Sequence, residues 1–229
     1  MRTVIVGDVH GCAAELGQLL QAVSFGADDQ LVLVGDLIAR GPDTPGVLEL
    51  VRQLGGRAVR GNHEQRVLEV RDARARGEEG PRLGPSHEAV LAQLSSADWA
   101  YLDAMPLWLD LEAHALRVVH AGIVPGVPMA DQDPWALVHM RSLRDGKPSD
   151  KRGSGVWADH YADEPHIVFG HNAVDGLQLH AHATGLDTGC VYGGALSALV
   201  LTESQRVPNI ETRRNQIVSI PAQRAYIKI

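Results

Sequence analysis

Two apolar, β-branched-rich runs, residues 3–7 and 31–35, both stop at a glycine, and in both the next residue is an aspartate, Asp8 and Asp36. Neither run alternates apolar with polar residues, so both read as strands buried on two faces, and such strands need covering layers on both sides. Between them Leu16, Leu19, Leu20 and Val23 recur at helical spacing. After the second run Val47, Leu48, Val51 and Leu54 repeat that pattern, with Pro45 near the start and Gly55 past the end. The stretch "RAVRGNHE", residues 57–64, reads as a third short strand running into a loop. Strand–helix–strand–helix–strand implies a parallel α/β sheet. Sites in such sheets form beyond the carboxyl ends of the strands, where both Gly-Asp pairs and "GNHE" fall.

From Glu64 to about Met105 the pattern is mostly helical, broken by the Gly/Pro-rich "RGEEGPRLGPSH". Ser86 is the expected cap of a helix carrying Val90, Leu91 and Leu94. From Trp108 onward short strands recur, at residues 116–120, 166–170, 177–185 and 195–201, and predict a second, mixed sheet. Residues 144–155, "RDGKPSDKRGSG", read as a surface loop, and "RVPNIETRRNQIVSI" fits no clear element. The expectation is one domain over residues 1–229. It is an α/β fold in which two mixed β-sheets pack as a central sandwich flanked by helices.

A chain of 229 residues, 45% hydrophobic and 21% charged, can bury a substantial core. Its net charge of −7 argues against general nucleic-acid binding and against a membrane-surface protein. Cys12 and Cys190 have no paired-motif spacing, which suits a reducing compartment and supplies no disulfide framework. No apolar run approaches membrane-spanning length, and the first one is too short for a signal peptide and is interrupted by Asp8. These features predict a cytoplasmic protein.

The strand ends carry the chemistry. Asp8 and His10 are two apart, so on extended chain they point the same way. Carboxylate plus imidazole suits Mn²⁺, Fe²⁺, Co²⁺ or Zn²⁺ better than Ca²⁺ or Mg²⁺. Asp36 has two oxygens and can serve two ions. Asn62 and His63 stand at the third strand end, and His120 and His171 follow later apolar runs in "VVHAG" and "VFGHN". Singly, such a histidine is usually structural and an Asp after Gly is usually a turn former. Jointly, ligand-type residues at every one of these strand ends point to a metal site. His87, His114, His139, His160, His166, His180 and His182 match no motif; His180 and His182 are expected to share one face of a strand.

In order and spacing, "GDVHG", "GDLIARG", "GNHE", "HAG" and "GHN" resemble the signature of the calcineurin-like metallophosphoesterases. Within them the chain is most similar to the phosphoprotein phosphatase superfamily and its branch of symmetrical diadenosine tetraphosphatases, and "GLDTGCVYGG" extends the likeness to Gly194. The resemblance implies two divalent ions, with Mn²⁺ expected first and Co²⁺, Fe²⁺ or Zn²⁺ as alternatives. Asp8, His10 and Asp36 would hold one ion, Asp36 would bridge, and Asn62, His120 and His171 would complete the other. It further implies attack by a metal-activated water, with His63 as general acid on the leaving oxygen. Arg40 and Arg141 would clamp phosphate, with Arg144 the alternative to Arg141. Asp187 would either orient a metal-binding histidine or shape a turn with Gly189.

At one position the chain departs from the protein phosphatases. They carry Asp where this chain has Ala39, and that Asp supports the histidine acid. The diadenosine tetraphosphatases share the "GDL-x-ARG" pattern. A serine or threonine alkoxide leaves poorly without a supported acid, whereas a nucleoside diphosphate spreads its charge over phosphate oxygens. The expected function is therefore hydrolysis of dinucleoside polyphosphates, diadenosine tetraphosphate giving two ADP, with nucleotide-capped RNA ends as further substrates. Serine/threonine protein phosphatase is the alternative. A metal-binding protein without turnover would need a missing ligand or acid, and none is missing. Two differences from the enterobacterial tetraphosphatases are Glu64, where they tend to Asp, and a shorter middle region.

Overall fold

The computed structural model describes residues 1–153 and 155–228. Strand β1 (Arg2–Val6) leads to helix α1 (Ala13–Ala22), β2 (Gln30–Leu33), α2 (Thr44–Gln53) and the two-residue β3 (Arg57–Ala58). Helices α3 (Asn62–Ala75), α4 (Pro85–Gln93) and α5 (Ser96–Asp103) follow. Then come β4 (Trp108–Leu111), β5 (Leu116–Val119), α6 (Pro134–His139), β6 (Ser142–Arg144) and β7 (Lys147–Ser149). The chain continues through β8 (His166–Phe169), β9 (Gln178–Leu179), β10 (Ala183–Gly185), β11 (Ala195–Thr202), α7 (Ile210–Arg214) and β12 (Ile217–Pro221).

One five-stranded sheet runs β12-β11-β1-β2-β3 and the other β4-β5-β8-β10-β9. Each is mixed. β1, β2 and β3 are parallel and so are β5, β8 and β10, with antiparallel strands outside them. The expected sandwich is present, and the side-chain alternation explains it. Val4 and Val6 point from β1 into a cluster with Leu16, Leu19, Val47 and Val51 of the helices. Ile5 points the opposite way and meets Leu116, Val118 and Val168 of the second sheet. A third cluster, built round Trp157 and Phe169, covers the outer face of that second sheet. Both faces of the central strands are thus dry, which is why their sequence does not alternate.

Three local expectations are corrected. Helix α4 starts at Pro85 with Gly84 as its cap, so Ser86 lies within the first turn and caps nothing; proline fits there because the first helical N–H needs no partner. Within residues 144–155, β6 and β7 form a hairpin turning at Asp145 and Gly146, both with positive φ; Ser154 lies outside the described residues. Asp-Gly is a strong two-residue hairpin signal. Residues 177–185 make a hairpin of β9 and β10 instead of one strand, so His180 and His182 sit in its connection and share no strand face. The C-terminal segment also finds its place. β12 closes the edge of the first sheet. Arg213 of α7, fully buried, donates to the carbonyls of His180 and Ala183 and to the Thr184 hydroxyl.

Candidate metal centre

Loops at the carboxyl ends of β1, β2, β5 and β8, with the first turn of α3, converge on one cavity. Asp8, His10, Asp36, Asn62, His171, Arg40, Arg141, Asp187 and Tyr192 line it; His120 is fully buried behind it. Several of these loops are held in the left-handed backbone region. His10, Asp36, Ala39, Arg40 and His171 all have φ between 47° and 70°, a conformation that costs non-glycine residues energy and persists only where surroundings enforce it. Two glycines allow close approach. A Cβ on Gly170 would sit 1.9 Å from Asp8 Oδ1, and one on Gly35 would sit 2.9 Å from His120 Nδ1.

Each of the three histidines His10, His120 and His171 is held to a backbone carbonyl through one ring nitrogen. His10 Nδ1–H donates to the Ile38 carbonyl (3.2 Å), His120 Nδ1–H to the Val34 carbonyl (2.8 Å) and His171 Nε2–H to the His139 carbonyl (3.2 Å). Such bonds fix the tautomer and aim the lone pair. His10 Nε2 then lies 3.5 Å from Asp36 Oδ2, and His120 Nε2 lies 3.5 Å from Asp36 Oδ1. The Asn62 side-chain oxygen sits 3.1 Å from His120 Nε2 and 3.0 Å from His171 Nδ1. Nitrogen and oxygen donor atoms converging this closely suit a cation. Donor atoms of His10, Asp36 and His63 lie within 4.8 Å of one another, as do those of Asp36, His120 and His171. Asp36 belongs to both groups. Asp8 lies beside them, its oxygens accepting from the His171 N–H at 3.1 and 3.3 Å.

The electrostatics favour the same occupant. Burial pushes Asp8 well above the usual carboxylate range, with Asp187 and Asp36 adding repulsion. Burial also raises Asp36 and Asp187 to about 6 and Glu64 to about 7. Burial lowers His120 to about 4 and holds His10 and His171 well below their ordinary value. Crowded carboxylates that resist ionising beside imidazoles that resist protonation are a donor set suited to divalent cations.

Two residues matter to which the sequence analysis gave no role. Glu64, fully buried, is the third residue of α3. Its Oε1 accepts from the N–H groups of Leu37 and Ile38, and its Oε2 from those of Asp36 and Gly61. One carboxylate thereby fixes the loop that presents Asp36; a Glu three residues after a helix-capping Gly was the available signal. Arg152, expected in a surface loop, joins Arg40 and Arg141 at the cavity.

Arg141 donates to the His171 carbonyl (2.9 Å), whereas Arg144 donates to the Arg152 carbonyl and lies away from the cavity. Arg40 donates to Tyr192 Oη and, at 3.3 Å, to His10 Nε2. Asp187 accepts from the Gly189 N–H at 3.1 Å and bonds no histidine among the described residues, so its turn-shaping role is the one seen. His63 is nearly enclosed and adds no surface to the cavity wall, yet its backbone N–H donates to Asp36 Oδ1 at 3.0 Å.

The family pattern described as calcineurin-like phosphoesterase matches residues 1–211. The symmetrical bis(5'-nucleosyl)-tetraphosphatase of Salmonella paratyphi C is 44% identical over 128 residues, 55% of this chain but only 44% of that protein. The protein of the same name from Shewanella sediminis is 33% identical over 209 residues, 83% of this chain and 72% of that one. A crystal structure of a protein provisionally assigned as a diadenosine tetraphosphatase superposes with a TM-score of 0.81 at 34% identity, covering 96% of this chain and 93% of the other. The chain belongs to the calcineurin-like phosphoesterase family and is a hydrolase of phosphoester or phosphoanhydride bonds.

Proposed function

We propose that the chain, acting as one domain in the cytoplasm, hydrolyses dinucleoside polyphosphates symmetrically, with nucleotide-capped RNA ends as further substrates. Asp8, His10, Asp36, Asn62, His120 and His171 would hold two divalent cations, Mn²⁺ first among them. Such ions supply Lewis-acid activation of water and neutralise phosphoryl charge. The observation that carries the substrate reading is the arginine set. Arg40, Arg141 and Arg152 line one cavity, and among the described residues none of them makes a salt bridge. Three guanidiniums with no carboxylate partner among the described residues fit a chain of phosphates better than a single phosphoryl group. The names of the tetraphosphatase relatives support the same substrate class.

His63 has the proton-donor role in this reading. A ring nitrogen lies within 4.8 Å of an Asp36 oxygen at the cavity wall. Burial, then His10 and Arg40, hold its imidazole well below the ordinary value. No carboxylate supports it: Nδ1 is buried without a partner and Ala39 is enclosed in an apolar cluster. An acid so weakly supported suits a phosphate leaving group. The test compares kcat/KM of the Mn²⁺-loaded protein for diadenosine tetraphosphate and for a phosphothreonine peptide. ADP as sole product with a large preference for the dinucleotide is expected; preference for the peptide reverses the assignment, and Ala39→Asp should then raise peptide hydrolysis no further.

A further inference from the structure

His63 is clamped between two other imidazoles. The His10 ring meets it edge-on at 4.7 Å between centroids, and the His87 ring lies against it at 4.7 Å with only 19° between the planes. His10 belongs to the loop after β1 and is fixed through its own bond to Ile38. His87 comes from a distant part of the chain, the first turn of α4, beyond the Gly/Pro-rich loop. Its Nε2 is buried and has no hydrogen-bond partner. A histidine whose buried nitrogen bonds nothing is used for its flat face. On the other side, His63 also lacks a bond that would fix its ring, since its Nδ1 is unpartnered. A side chain with two free torsions and no hydrogen bond is otherwise aimed only by what it packs against.

We propose that His87 is the positioning residue for His63: its ring forms the back wall that keeps the His63 imidazole turned toward Asp36, in place of the carboxylate that Ala39 cannot supply. The inference rests on the reading of His63 as proton donor. In that step a water oxygen bonds phosphorus and the bond from phosphorus to the leaving oxygen breaks. The electron pair stays on that oxygen, which takes the His63 proton; the proton released by water passes to solvent, from which His63 is recharged. A ring free to swing away from the leaving oxygen loses rate at this step without losing substrate. Misplacement of about 1 Å costs on the order of 100-fold in such chemistry. Besides His63, the charged groups that act on His87 are Arg66 and Arg40; Arg66 donates to the Arg82 carbonyl and Arg40 to Tyr192 and His10, and among the described residues neither bonds His63 Nδ1.

The experiment uses Mn²⁺-loaded protein and aryl and alkyl phosphates of graded leaving-group pKa, beside diadenosine tetraphosphate. His87→Ala should lower kcat roughly 10- to 100-fold for poor leaving groups, leave KM within about twofold, and cost little with a good aryl leaving group. His87→Phe keeps the flat face and needs no hydrogen bond, so it should restore most of the rate. In a His63→Ala background, His87→Ala should have no further effect. An equal loss for all leaving groups, absence of rescue by Phe, or full additivity with His63→Ala overturns the role of His87. If His63→Ala itself shows no dependence on the leaving group, the proton-donor reading of His63 fails first, and that result is separable from the others.

Discussion

Glu64→Gln tests how firmly the Asp36 loop is built. The wild-type carboxylate accepts from four backbone N–H groups, two on each oxygen, at 2.8 to 3.2 Å. Glutamine has one acceptor oxygen. Whichever way its amide is turned, the NH₂ faces two N–H donors, so two charge-assisted bonds are lost and two buried donors are stranded. At about 1.5–3 kcal/mol per bond the gross cost is about 3–6 kcal/mol. Part is recovered because a buried charge is no longer carried, leaving a loss of about 2–4 kcal/mol. Urea unfolding of the metal-free protein above pH 8, where the carboxylate that burial raises to about 7 is ionised, followed by circular dichroism and tryptophan fluorescence, measures it. Glu88→Gln, which removes only an exposed pair with Arg74, is the control and should change stability by less than about 0.5 kcal/mol. If Glu64→Gln behaves like that control, the carboxylate does not organise the loop and the reasoning fails.

Gly170→Ala should weaken Mn²⁺ binding at least tenfold by titration calorimetry, because its Cβ would displace Asp8 from 1.9 Å away; unchanged affinity would show that Asp8 is not held there. Saturating Mn²⁺ should raise the unfolding free energy, by about 2.7 kcal/mol at 100 times Kd, and Asp36→Asn should abolish most of the shift, since Asp36 faces both donor groups. His166 gives the pH prediction. Burial and Arg213 lower it to about 3, and its Nε2 faces the Arg213 guanidinium at 2.9 Å. The unfolded chain therefore takes up this proton first. The contribution of neutral His166 is complete above pH 6.5 and is lost as pH falls toward 3. The stability difference between wild type and His166→Asn, measured at pH 7 and pH 5, should shrink by about 1–2 kcal/mol at the lower pH. A constant difference would contradict the burial of the neutral ring.

Local patterns carried much of this fold, because β1 and β2 are covered on both faces and α1 and α2 on one. Residues that act through contacts distant in sequence were less legible. Arg213 reads as one more charged residue in a polar stretch until β10 and the β9–β10 connection supply its acceptors. His87 has no motif because its meaning lies in a ring 24 positions away in sequence. The ligand-type residues were legible for the opposite reason. Each stands beside a glycine or at a strand end, so the local signal and the spatial role coincide. Ser86 misled because a capping hydroxyl competes with the proline one position earlier, and the backbone followed the proline.

The central position of β1, hydrogen-bonded to β2 on one side and to β11 on the other, bears on how the molecule is made. As the polypeptide leaves the ribosome, Asp8, His10, Asp36 and Asn62 emerge long before His120 and His171. The opening strand must wait, with one edge bare, until nearly two hundred further residues have been translated (Arg2 pairs with Thr202). Early cation capture by the nascent half is therefore incomplete, and the bare edge of β1 is an aggregation hazard during that interval.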